Sequence, residues 1–461
     1  MKRIKGCLLL LVVASSLQAN PYQPSDGNQG PRNIIIFIAD DLARNELACY
    51  GGENVKTPNI DRFATEGVRF DKMYASSTMC SPVRASIYTG LYPVHNGMYK
   101  NHGSTKPEVK SIAHYLNELG FRVGITGKTH VRPASVYCFE NIDGFEPNCT
   151  KKTADYTLGG IIDFMKRKDN QPFCLVICST LPHAPWTVGD SQQFDPAKLK
   201  LPPHFVDNAE TREAFAKYMA EVSALDQQFG DVLEALKKTG KEDETLVVFS
   251  GEQGPQFPGG KWTSWDYGQK SAFIIKSPED YLRSKTTDAM VQYEDLLPTL
   301  IEYAGGKVPD KMDGESFLPV LTGEKSTSRK WAYGIHNNVP EGSPYPIRSI
   351  RDDRYKLIVN LTSEASYFEK HLMKPNADSY WNAWERDAQT SEKAKYWVDR
   401  YVTRPEIELY DTEKDPWELT NLASNRKMKP IINKMKKELF SWMREQGDTG
   451  KALDIQKQKN E

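Results

Sequence analysis

Two adjacent carboxylates, Asp40 and Asp41, stand directly after the apolar run Asn33-Ile34-Ile35-Ile36-Phe37-Ile38-Ala39. A polar turn accounts for such a pair taken alone, yet paired carboxylates at a ligand-binding sheet edge also suit a hard cation such as calcium or magnesium. A second group is Cys80-Ser81-Pro82-Val83-Arg84, closed by Thr89-Gly90. A lone cysteine is more often core or disulfide than catalytic, and it is the CxPxR spacing with Thr-Gly after it that singles Cys80 out. Gly127-Lys128-Thr129-His130, Pro182-His183-Ala184-Pro185 and Lys261 add ammonium groups and imidazoles. Each histidine alone is more often an ordinary polar residue.

The elements that must hold these residues follow from hydrophobic patterning. The run 33–39 reads as a central parallel strand buried on both faces. Phe121–Gly127, Phe173–Ser179, Thr245–Ser250 and Ala272–Lys276 read as further strands. Thr57-Pro58 opens a helix that Gly67 ends. Apolar residues from Phe215 to Leu236 recur every three or four positions and predict a long helix over roughly Arg212 to Lys238. Strands alternating with helices imply an α/β sheet with its functional loops after the strand C-termini, where Asp40, Lys128, His183 and Glu252 all lie. Beyond residue 335 the character changes. A hairpin is expected over 348–359 with its turn at Asp352-Asp353, then a polar, aromatic-rich insert over 364–404 and an amphipathic helix over 427–445. The organisation is thus a leader (1–19), a linker (20–32), an α/β domain (33–335) and a smaller α+β domain (336–461).

The leader is expected from basic Met1–Lys5, apolar Cys7–Val13 and a small-residue cleavage site after Ala19, which together form a secretory signal peptide. That apolar run is too short to span a membrane, and Cys7 precedes it, unlike a lipoprotein cysteine. The expectation is therefore an exported protein, periplasmic or secreted, with no membrane span. The chain has 461 residues, 60 basic and 61 acidic side chains and a formal net charge of -1, which gives no grip on nucleic acid. Six cysteines follow the leader. Cys138 and Cys149 could close one loop by a disulfide, while Cys174 and Cys178 share one strand face and read as small buried hydrophobes.

These motifs, taken in order, resemble the type I sulfatases of the alkaline phosphatase superfamily. Cys80-x-Pro82-x-Arg84, the Lys128/His130 pair, His183 between two prolines, Lys261 and the ending Leu409-Tyr410-Asp411 with Asp415-Pro416-Trp417-Glu418 carry the resemblance across nearly the whole chain. His95-Asn96-Gly97-Met98-Tyr99, Val131-Arg132-Pro133 with Val136-Tyr137, and Tyr345-Pro346-Ile347-Arg348-Ser349 resemble the heparan N-sulfatase branch. The resemblance implies an alkaline phosphatase-like sheet, and a Cys80 oxidised by a formylglycine-generating maturation enzyme to formylglycine, whose hydrated aldehyde attacks sulfur. It also implies a cation, taken here as calcium, held by Asp40, Asp41, modified Cys80, Glu252 and Gln253. The family usually has Asp-Asn where Glu252-Gln253 stand, and calcium's flexible geometry accommodates the longer side chains. Arg84, Lys128 and Lys261 would neutralise the sulfate, His183 would protonate the leaving oxygen and His130 would assist the later elimination. His95, His336 and Arg348 are candidate substrate contacts, the last two closing the pocket for action on chain ends. The implied substrate is a sulfated carbohydrate, as N-sulfoglucosamine or an O-sulfated sugar. A phosphate or phosphonate monoester hydrolase on the same fold, and an inactive glycan-binding protein, are the alternatives.

Overall fold

The computed structural model describes residues 32–150, 155–168, 171–278, 286–374 and 379–455. The leader and all but the last residue of the linker lie outside the described residues. Eight strands form one sheet: β1 (Asn33–Ala39), β2 (Val68–Phe70), β3 (Arg122–Gly127), β4 (Glu140–Asn141), β5 (Phe173–Cys178), β6 (Thr245–Gly251), β7 (Phe273–Lys276) and β8 (Thr286–Thr287). Their order is β8-β2-β7-β6-β1-β5-β3-β4. β1 runs parallel to β5 on one side and β6 on the other, and β3 runs parallel to β5 and β4. Only β7 reverses direction, against β6 and β2. The unbroken apolar run of β1 has its reason in this position. Ile35, Phe37 and Ala39 enter one core cluster, while Ile34, Ile36 and Ile38 enter another on the opposite face.

Helices cover both faces. α1 (Pro58–Glu66) starts on its proline and stops before Gly67, as the sequence implies. α2 (Cys80–Thr89) carries the CxPxR motif. α3 (Ala209–Lys238) starts three residues earlier than its apolar periodicity suggests, because the Asn208 side chain accepts a hydrogen bond from Thr211 N and caps it. Its buried face, including Phe215, Tyr218, Leu225 and Phe229, packs into the cluster that holds Phe37.

The C-terminal region builds an antiparallel sheet of β9 (Ala332–His336), β10 (Ile347–Arg351), β11 (Tyr355–Asn360) and β12 (Ile407–Asp411), in that order. Asp352 Oδ1 accepts from Arg354 N and Tyr355 N at 2.9 and 2.7 Å and fixes the β10–β11 turn. α4 (Lys429–Glu445) packs beside this sheet, with Met435, Leu439 and Trp442 buried against it. The aromatic-rich insert contributes to the core as well as the surface: Trp381 and Trp384 are fully buried in the same cluster as Phe37, while Phe368 and Tyr396 are exposed. The six cysteines from Cys49 onward are free, so the disulfide considered between Cys138 and Cys149 does not form. Cys138 is exposed, with its sulfur 3.7 Å from His114 Nε2, whereas Cys149 borders the central cavity. Cys174 and Cys178 do lie buried among Ile34, Ile36 and Ile38. No helix among the described residues is long and apolar enough to cross a membrane.

Candidate active site

Four neighbouring strands deliver the motif residues to one edge. Ala39 pairs in register with Gly251, so Asp40 and Asp41 emerge beside Glu252 and Gln253, and Glu252 N donates to Ala39 O at 3.0 Å. Lys128 and His130 follow β3, and His183 follows β5. Gly127 is required where β3 ends: its φ is +80°, and a Cβ there would stand 2.0 Å from Cys178 O. α2 supplies the remaining groups. Cys80 is its first residue, Pro82 sits in the first turn where a missing N–H costs nothing, and Gly90 ends it at φ +65°. Arg84 stands four residues after Cys80 and so shares its helix face.

The groups converge. Cys80 Sγ lies 3.7 Å from Asp40 Oδ1, 3.9 Å from Asp41 Oδ1 and 3.4 Å from Gln253 Nε2. Lys261 Nζ donates to Asp41 Oδ2 at 2.8 Å, Lys128 Nζ pairs with Asp40 Oδ2, and Arg84 Nε pairs with Glu252 Oε2. Arg84 Nη1 also donates to Lys128 O at 2.6 Å. His183 Nε2 lies 3.6 Å from Asp41 Oδ2, and its Nδ1 donates to Ala184 O. His130 stands farther out, with Nε2 2.8 Å from His102 Nδ1. Cys80, Lys128, His130, His183 and Lys261 line a cavity of about 430 Å³, within the range of small-ligand clefts.

Three carboxylates and three cations, all buried, make the floor strongly coupled. Burial opposes ionisation of Asp40, but Lys128 and then His183 hold its carboxyl well below the usual range. Asp41 is raised by burial and by Asp40, against the pull of Lys261. Glu252 is pushed up to about 8 by burial and by Asp40, despite Arg84. A carboxyl that keeps its proton to that pH marks a shortfall of positive charge among these oxygens. A divalent cation supplies such charge, and one ligand atom each of Asp40, Asp41, Cys80 and Glu252 lies within 4.8 Å of the others. Gln253 Oε1 is a buried acceptor without a hydrogen-bond partner. The oxygens of Asp40, Asp41 and Glu252, with the orphaned Gln253 carbonyl, fit a hard cation. Burial and Glu252 push the Cys80 thiol well above its ordinary range, so unmodified it is a neutral thiol and a poor nucleophile. Burial, Lys261 and Lys128 depress His183; burial, Lys128 and His102 lower His130 to about 2.

Three sequence-derived candidates do not reach this cavity, which corrects their reading as substrate contacts. His95 bonds Asp313 through Nδ1 at 2.8 Å and Glu445 O through Nε2 at 3.1 Å, tying α4 to the main body. His336, at the end of β9, is fully buried with neither ring nitrogen hydrogen-bonded. Arg348 is fully buried and paired with Asp448 and Asp454. Conversely, Asn101, His102, Trp262, Glu341 and His371 line the cavity and were not anticipated. Glu341 and His371 come from segments far along the chain, and no local spacing joins them to Cys80.

A family model described as Sulfatase matches residues 32–306, and one described as N-sulphoglucosamine sulphohydrolase, C-terminal, matches residues 261–389. An ulvan-active sulfatase of Formosa agariphila is 34% identical over 96% of this chain and 88% of its own length. The human N-sulphoglucosamine sulphohydrolase is 27% identical over 96% of this chain and 94% of its own. A solved structure in complex with D-glucosamine-2-N,6-O-disulfate superposes with a TM-score of 0.69 at 20% identity, covering 93% of this chain and 100% of the other. The phosphonate monoester hydrolase of Agrobacterium radiobacter gives a TM-score of 0.70 at 19% identity, covering 90% and 96%. These two structural likenesses speak for the fold.

Proposed function

The chain belongs to the sulfatase family, hydrolases of sulfate esters or sulfamates, and from that premise we propose that it is exported and desulfates sugars of an anionic polysaccharide at Cys80. One observation carries the site: the Cys80 sulfur stands between the Asp40 and Asp41 carboxylates at the floor of a cavity that Lys128 and Lys261 also line. The sugar class is supported by the ulvan-active and N-sulphoglucosamine relatives. The higher identity favours an O-sulfated sugar of the ulvan kind; the C-terminal model match favours N-sulfoglucosamine as a second reading.

Asp40, Asp41, Glu252 and Gln253, with the oxygen of modified Cys80, would hold the calcium ion, which when bound supplies Lewis-acid stabilisation of sulfate charge, and formylglycine made from Cys80 by a maturation enzyme would supply an oxygen nucleophile. The chain's own groups do the rest. Lys128 and Lys261 place two ammonium charges at the cavity floor, where a sulfate brings negative charge out of water. Arg84 pairs with Glu252 beneath the nucleophile and fixes the place of that carboxyl. The bond from Nδ1 to Ala184 O keeps one proton on that nitrogen and leaves Nε2 as the atom that would carry the transferred proton: once protonated there, His183 would donate to the leaving oxygen and return to its neutral form. Glu341 and His371 bring the C-terminal region to the cavity wall, which supports action on chain ends; His336 and Arg348 do not contribute to that wall.

The test is a desulfation screen of purified enzyme on defined N- and O-sulfated mono- and oligosaccharides, with aryl phosphate and phosphonate esters alongside. Sulfate release from a terminal sulfated sugar supports the reading. Faster turnover of phosphonate esters than of every sulfated sugar overturns it.

A further inference from the structure

A directed line of hydrogen bonds leads from the nucleophile helix to His130. Ser81 N, next to Cys80, donates to Asn101 Oδ1 at 3.3 Å, which fixes the orientation of that amide. Asn101 Nδ2 therefore faces Glu341 Oε1 at 2.6 Å and His102 Nε2 at 3.3 Å. An amide nitrogen can only donate, so His102 Nε2 accepts. Glu341 Oε1 is 3.6 Å from the same nitrogen, too far to reverse that assignment. His102 then carries its proton on Nδ1, 2.8 Å from His130 Nε2. His102 N also donates to Ser81 Oγ at 3.3 Å, tying the pair to the same helix turn.

Two further features single out the pair. Both histidines sit in the left-handed backbone region, His102 at φ 56° and His130 at φ 52°, a conformation that costs a non-glycine residue energy and persists where the surroundings enforce it. The second nitrogen of His130, Nδ1, is buried without a partner in the protein. Neither His102 nor Asn101 belongs to the motifs that assign the site.

We propose that His102 is a positioning residue that fixes the tautomer of His130, holding its proton on Nδ1 so that His130 meets bound oxygen as a hydrogen-bond donor. The proposal rests on the sulfatase reading for its kinetic consequence and on geometry alone for the tautomer. Asn101 orients His102, and Glu341, bonded to His371 Nε2 at 2.6 Å, anchors Asn101 from behind.

The experiment combines nitrogen-15 histidine NMR with steady-state kinetics on an aryl sulfate, for wild type and the His102→Ala, His102→Asn and His102→Gln variants. The His130 signal is assigned by its loss in His130→Gln. Wild type should show His130 protonated at Nδ1, and His102→Ala should lose that preference, with kcat down about tenfold or more and KM within twofold. His102→Asn, whose amide reaches the place of Nδ1 and tolerates a positive φ, should restore both the tautomer and most of kcat, while His102→Gln should not. An unprotonated Nδ1 in wild type, or an unchanged tautomer and kcat in His102→Ala, overturns the proposal. Absence of sulfate release by wild type would instead count against the sulfatase chemistry, and the NMR arm would still decide the tautomer.

Discussion

Gln253 gives its amide nitrogen to Asp41 Oδ1 at 2.6 Å and leaves its own carbonyl oxygen buried without a hydrogen-bond partner. Turning the amide over would offer that oxygen to a cation shared with Asp41, at the loss of the hydrogen bonds that Nε2 gives Asp41 Oδ1 and Glu252 Oε1. The residue thus serves the floor in either state.

A first prediction concerns that carbonyl. Gln253→Leu should weaken calcium binding by about tenfold or more, since a buried oxygen ligand is lost with no substitute. Titration calorimetry on metal-stripped protein measures it. Stripping wild type should lower its Tm, because an ion at about 100 times its Kd stabilises by about 2.7 kcal/mol. Equal calcium affinity in wild type and Gln253→Leu would remove Gln253 from the ligand set.

The second concerns the nucleophile. Cys80 in active enzyme should appear in tryptic mass spectra as the aldehyde rather than the thiol. Cys80→Ala should fold with an unchanged Tm and lose turnover. Cys80→Ser should release at most one equivalent of sulfate, because a simple hydroxyl has no second oxygen with which to expel it. Multiple turnovers by Cys80→Ala would refute the assignment.

Arg348 provides the third. Both it and its partners Asp448 and Asp454 are shielded from solvent, so Arg348→Ala leaves two carboxylates buried without their cation. The expected cost is about 3–5 kcal/mol, read by urea unfolding. The folded fraction should keep the wild-type KM. A raised KM with undiminished stability would return Arg348 to the substrate.

A fourth follows from His336. Burial first, and then Arg404 and Arg348, lower its pKa from an ordinary value near 6.5 to about 3. The unfolded chain therefore binds a proton below pH 6.5 that the folded chain refuses down to about 3, and stability falls as pH drops through that window. One histidine contributes at most ~1.4 kcal/mol per pH unit there. His336→Leu should flatten the dependence of stability on pH between about 3 and 6.5 and leave KM unchanged. An identical pH profile in the variant would contradict the assignment.

The sequence alone determined the elements and motifs whose signals are local. β1 is legible because a strand buried on both faces must be apolar throughout, and Glu252 could be placed beside Asp40 because both directly follow such strands. Cys80 and Arg84 share a face because four residues make about one helical turn. What the tertiary structure decided is direction and company. His336 and Arg348 have the side chains of a substrate site, but both faces of their sheet are covered, so they turn into the core; nothing in the identity of a residue records which way a strand is packed. His102, Glu341 and His371 meet at the cavity because β9 and the segment after it bond to the chain on either side of α2, at Ser76, Tyr99 and Asn101, bringing together residues up to 269 positions apart, and no periodicity registers a contact that only chain crossing creates.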